Sequence, residues 1–147
     1  MRKWVALLFA ALVAAACSKG GAPTKAQYNG VADQVCASAH GELEKALADH
    51  LKKKPDGGAN QRFVRATVIP RLRSMTGELR SIQPPDRDGP YLGSIYADYD
   101  HALAIWYTDP LGHTSDKASD AVEARMRSYG MTGCAKAGEI EADQSAS

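Results

Sequence analysis

Residues 24–54 read TKAQYNGVADQVCASAHGELEKALADHLKKK, and this stretch sets the fold class. Tyr28, Val31, Val35, Ala39, Leu43, Ala46 and Leu47 recur at steps of three and four, the spacing that lines one face of an α-helix. Thr24 and Gln27 have the form of a capping box, which satisfies the first free backbone N–H groups. Lys52, Lys53 and Lys54 suit the negative end of a helix dipole, and Pro55-Asp56-Gly57-Gly58 stops the element near Lys53. Gly41 inside the run costs up to about 1 kcal/mol relative to alanine.

Three further helices follow by the same reasoning. The second starts with Asn60 as N-cap, carries Phe63, Val64, Thr67, Val68, Leu72, Met75, Leu79 and Ile82, and halts before Pro84-Pro85. Pro70 lies in its interior, has no amide hydrogen, and crowds the carbonyl of Ala66, so a kink or a break is expected there. The third runs over 88–108 with Pro90 in its first turn and Leu92, Ile95, Tyr99, Ala102, Leu103 and Trp106 as its apolar stripe. The fourth opens at Thr114 or Ser115, buries Ala118, Ala121, Val122, Met126 and Tyr129, and ends at Gly130 in a left-handed cap followed by Met131.

Short breaks between these helices favour sequential antiparallel neighbours. The expected fold is all-α, an up-down-up-down four-helix bundle with its second helix kinked at Pro70. Such a bundle returns its end to its beginning, which brings Cys36, early in the first helix, to Cys134, just past the fourth. In an oxidising compartment the two pair, closing a loop of about 100 residues worth roughly 4 to 5 kcal/mol in the chain-entropy model. The competing reading is two separate buried thiols or a redox pair, although catalytic dithiols normally stand close in sequence as C-x-x-C.

The compartment follows from the first seventeen residues. Arg2 and Lys3 precede thirteen apolar residues, 4–16, and then Cys17. As a helix those thirteen rise only about 20 Å, short of the roughly 30 Å hydrocarbon core, so they read as an export signal and not as a membrane span. The run Leu12-Val13-Ala14-Ala15-Ala16-Cys17 resembles the lipobox of bacterial lipoproteins, departing at Ala14, where leucine is usual. That resemblance implies diacylation of Cys17, palmitate among the acyl chains, and a mature protein anchored outside the cytoplasm. An ordinary secretory signal cut after 14–16 is the alternative. Ser18 after the lipid site favours the outer membrane over the inner cell membrane, by analogy with sorting in double-membraned bacteria.

Cleavage leaves one modest domain of about 131 residues with a net charge near −1, which gives no global attraction for nucleic acid. The expected organisation is a signal at 1–16, a flexible Gly- and Pro-broken tether at 17–26, the helical domain at 27–136 and a loose polar tail at 137–147. Val35-Cys36-Ala37, with Tyr129-Gly130-Met131-Thr132-Gly133-Cys134, resembles the ends of many small uncharacterised bacterial lipoproteins with helical, disulfide-closed domains. That group has no assigned activity, so the likeness implies the fold and the bridge and no catalytic residue.

Enzyme chemistry has no positive signal: no Gly-x-Ser-x-Gly elbow, no phosphate-cradling glycine loop and no Cys-x-x-Cys-His haem attachment. No cofactor is expected. Two surface features remain. Arg62, Arg65, Arg73 and Arg80 fall in a narrow sector at 100° per residue, suited to anionic headgroups or an acidic envelope polymer. Tyr91, Tyr96, Tyr99, Trp106 and Tyr107 exceed what one core stripe holds, so some are exposed, as in protein interfaces and saccharide contacts or at helix ends and bundle rims without function. The expected function is therefore a membrane-anchored binding or structural module of the cell envelope. The alternative is a metal-binding protein using Asp98 and His101, spaced i to i+3, with His113, and with His40 and Glu44 as possible supplements.

Overall fold

The computed structural model describes residues 21–110 and 113–136, with only the backbone described for 113–116 and Lys136. The signal, Cys17 and the 137–147 tail lie outside them. Helix α1 spans Lys25–Leu51 and starts two residues inside the expected tether, because the capping box forms as the sequence spells it. Gln27 N–H donates to Thr24 Oγ1 at 3.2 Å, and Thr24 N–H donates to Gln27 Oε1 at 2.9 Å.

The second rod is built from α2, Gly57–Phe63, a π turn, Val64–Val68, and α3, Ile69–Ser81. Its backbone stays right-handed helical through both junctions, so the rod is continuous. Pro70 is the cause of the π turn. A proline in an α-helix removes one donor and drives its ring toward the carbonyl four residues back, and a widened turn relieves both faults. Ile69 N–H accordingly bonds Val64 O, five residues earlier. The N-cap is Asp56, not Asn60 as expected: Asp56 Oδ1 accepts from Ala59 N–H at 2.6 Å, and Asn60 is engaged elsewhere.

Helix α4 runs Gly89–Thr108 and α5 runs His113–Tyr129, followed by a 3₁₀ turn at Cys134–Lys136. The rods pack in chain order, α1 on α3, α3 on α4 and α4 on α5, as an up-down-up-down bundle. No strand occurs among the described residues. The core takes Tyr28, Ala32, Ala39 and Leu43 from α1, Ile69, Leu72, Met75 and Leu79 from α3, Leu92, Ile95, Tyr96 and Leu103 from α4, and Val122 and Met126 from α5. Val31, expected in the core, is 47% exposed. It lies roughly 100° from the centre of the buried face on a 3.6-residue helix, too far round to reach it.

The bundle is closed covalently. Cys36 and Cys134 form a disulfide with Cα atoms 5.0 Å apart across a sequence separation of 98. Gly130 ends α5 at φ +105°, and Met131 N–H reaches back to Met126 O at 3.0 Å in a Schellman-type stop. One face of α1 receives this returning segment. Asn29 Nδ2 donates to Tyr129 O at 3.4 Å, and Asp33 Oδ1 accepts from Gly133 N–H at 2.8 Å. With Cys36, these residues follow steps of four and three along the helix. A Cβ on Gly133 would stand 2.9 Å from the Asp33 side chain, so the close approach requires glycine there.

Candidate functional site

The bundle has two unlike ends. At the start of α1 the aromatic side chains interlock: Tyr28 and Tyr129 meet edge to face with centroids 6.2 Å apart, and Tyr91 tilts onto Tyr129 at 5.9 Å. The Tyr28 and Tyr96 hydroxyls contact each other, and Tyr96 Oη lies 4.0 Å from Met131 Sδ. Tyr129 Oη donates to Asp88 Oδ2 at 2.6 Å. Burial raises the pKa of Tyr28, Tyr96 and Tyr129, and the hydrogen bonds to Tyr28 and Asp88 raise Tyr96 and Tyr129 further. Phenols held neutral and paired in this way act as packing groups.

These positions correct the expected aromatic surface. Tyr96 is 2% exposed and Tyr99 6%, so neither is available to a partner. The reason is that α4 packs against both α3 and α5, which widens its buried arc beyond a single stripe. Burial, and then the adjacent Glu123 carboxylate, hold Tyr99 neutral. Trp106 is partly buried against the core, while Tyr91 and Tyr107 remain exposed.

The four arginines are not one stripe either. A π turn inserts one extra residue per turn, rotating Arg62 by roughly 100° relative to Arg73 and Arg80. Arg80 ion-pairs with Asp100 at 2.6 Å and donates to Tyr96 O, 3.1 Å away. Arg65 donates to Tyr107 O at 2.9 Å, joining the α2 end of the second rod to the end of α4. Glu42 and Glu78 pair with Arg71, a residue the sequence did not single out. Arg62 and Arg73 form no hydrogen bond or ion pair among the described residues.

The metal candidates are likewise dispersed. Asp98 is held by Arg125, which also donates to Ser94 Oγ at 2.6 Å. His101 is exposed, and the His113 side chain lies outside the described residues. His40 is buried with its Nε2 lacking a described partner, and burial lowers its pKa. Among the described residues no group of three or more His, Cys, Asp and Glu is placed to hold a metal. No described helix is long and apolar enough to cross a membrane.

What the fold does assemble is a groove at the far end, where α1 hands over to α2. It has a volume of about 540 Å³ and is lined by His50, Lys53, Asp56, Ala59, Arg62 and Phe63, with Pro55 and Ala66 beside them. His50 stacks on Phe63 with ring centroids 4.3 Å apart and planes 11° from parallel. Its Nε2 sits 2.8 Å from Asn60 Oδ1, an atom that only accepts, so Nε2 carries the proton. This contact braces the groove wall; Asn60 is not the cap because α2 already begins at Gly57 and Asn60 N–H donates to Asp56 O at 2.9 Å. Exposed Leu51 and Tyr107 stand at the same end of the bundle.

Charge is concentrated there too. Residues 49–65 hold five Lys and Arg against two Asp, whereas the rest of 17–147 holds eleven against fifteen acids. Global net charge hid this asymmetry, although a window count along the sequence exposes it. The pairing of residues 50 and 63 across the turn had no such signal. No protein-family model, curated protein or solved structure matches this chain, so the reading of the site rests on its geometry and chemistry.

Proposed function

We propose that this chain is an exported lipoprotein, acylated on Cys17, whose helical domain works as a binding module of the cell envelope without catalysis. The observation that supports the reading is the polarity of the bundle. The chain enters at Lys25, only eight residues beyond Cys17, and α1 then carries 27 residues, about 40 Å, to the cationic and aromatic groove. The seven residue steps from Cys17 to Thr24 span at most about 25 Å, so the disulfide end stays near the anchor. A rigid rod with a sealed base and an open, charged tip suits display of a docking surface away from a membrane.

Arg62 and Tyr107 are the contact residues in this reading, Arg65 holds the Tyr107 backbone in place, and Arg73 and Arg80 are surface groups of the shaft. The test has two arms. Mass spectrometry of the native protein should find an acylated Cys17 as the first residue; an unmodified Met1 start removes the anchor and the compartment together. A photocrosslinking residue at position 107, used in intact cells, should capture an envelope component, and one at position 73 should not. Equal capture at both positions would refute the tip as the docking surface.

A further inference from the structure

We infer that the groove at the α1–α2 turn takes an acidic, extended peptide segment of a partner protein, with one apolar side chain flanked by carboxylates. This deepens the reading of the domain as a binding module and rests on it. The floor is apolar: Phe63 under the His50 ring, with Ala59, Ala66 and Pro55 beside it. An apolar side chain laid on this open floor gains by leaving water, against the cost of association. Lys53 and Arg62 rim the floor, Arg62 has no ion pair among the described residues, and Lys54 adds positive field, whereas Lys52 is paired with Asp49 at 2.7 Å. Cations around an apolar floor match carboxylates around an apolar side chain.

Two competing occupants fit less well. A dense polyphosphate lacks an apolar group for Phe63, and the Asp56 carboxylate, which lines the same groove, leaves room for only a few ligand charges beside Lys53 and Arg62. The chain's own acidic segment, 139–143 (EIEAD), has the right composition but little spare reach. Cys134 sits 5.0 Å from Cys36, and His50 is fourteen residues further along α1, about 21 Å. Ile140 lies six residues past Cys134, at most about 22 Å fully extended, and the 3₁₀ turn at Cys134–Lys136 shortens that. Reaching Phe63 within one copy would need this segment almost fully stretched along α1.

The experiment uses the full-length protein in non-ionic detergent and a labelled synthetic peptide, Glu-Glu-Leu-Glu-Glu, followed by fluorescence anisotropy. Binding should weaken about tenfold when the leucine of the peptide is replaced by serine. It should weaken at least tenfold in Lys53→Glu/Arg62→Glu, and be unchanged in Arg73→Glu. Inorganic polyphosphate at equal charge should compete poorly. Binding indifferent to the Lys53 and Arg62 reversals, or tighter binding of polyphosphate, overturns the assignment. A severalfold gain in peptide affinity on changing Glu139, Glu141 and Asp143 to serine would instead put the chain's own segment in the groove. If the peptide fails to bind while crosslinking at position 107 still captures a component, the acidic-peptide assignment falls and the binding-module reading stands; if both fail, both fall.

Discussion

Tyr28, Tyr96, Tyr129 and Met131, at the end where the chain enters, are no more than 5% exposed, and each tyrosine hydroxyl has a partner. At the opposite end Leu51 and Tyr107 face solvent, three consecutive lysines crowd one turn, and Arg62 has no ion pair among the described residues. Both ends are made of aromatic and charged residues, so composition does not separate them. Topology does: the first end receives the returning segment after α5 and is sealed by it, whereas nothing described crosses the groove at the second. A sealed end stores stability, and an open one leaves contact energy for a partner.

The largest test of that contrast is the disulfide. Replacing Cys36 and Cys134 together by alanine should lower unfolding free energy by about 4 to 5 kcal/mol, from the loop of 98 residues it closes, measured by urea denaturation. A loss under about 1 kcal/mol would mean the non-covalent contacts alone hold the base. Alkali should act next. Tyr28, Tyr96, Tyr99 and Tyr129 have pKa values raised by folding, so they stay neutral in the bundle while the unfolded chain ionises above about pH 10. Stability is intact below that pH and is lost as the pH rises beyond it. Absorbance at 295 nm from these phenolates should therefore grow together with the loss of helical circular dichroism, and ionisation of all four in a still-helical protein would contradict their burial.

Gly130→Ala should cost about 1 to 3 kcal/mol, because φ is +105° and the added Cβ would stand 2.5 Å from Asn29 Nδ2. It should leave binding at the far groove intact at temperatures where the protein is folded. The smallest effect belongs to the tip: Arg62→Glu should change stability by less than about 0.5 kcal/mol, since the side chain is exposed and makes no described ion pair. A larger cost would recast Arg62 as a structural residue and make the two ends alike.

Much of this architecture is legible residue by residue. Thr24 and Gln27 announce the start of α1 because capping is local chemistry within four residues. The end of α5 at Gly130 is local as well. The misreadings occur where a second element intervenes. Asn60 looks like a cap, but Asp56 opens α2 one turn earlier, and Asn60 inside the helix meets His50 from α1 instead. Tyr96 and Tyr99 look like surplus aromatics until α3 and α5 cover two faces of α4. The arginine sector assumed an unbroken 100° repeat, and the π turn before Pro70 rotates its two halves apart.

Sequence alone determined the helical class, the helix stops and the pairing of Cys36 with Cys134, because periodicity, capping and the parity of four antiparallel rods act within or between neighbouring segments. Tertiary structure alone decided which tyrosines are buried, which arginines are spent on Asp100 and on the Tyr107 carbonyl, and that His50 and Phe63 form one wall of a groove. Those outcomes depend on where a side chain from one rod meets another, and the phase of that meeting is set by packing across the whole bundle.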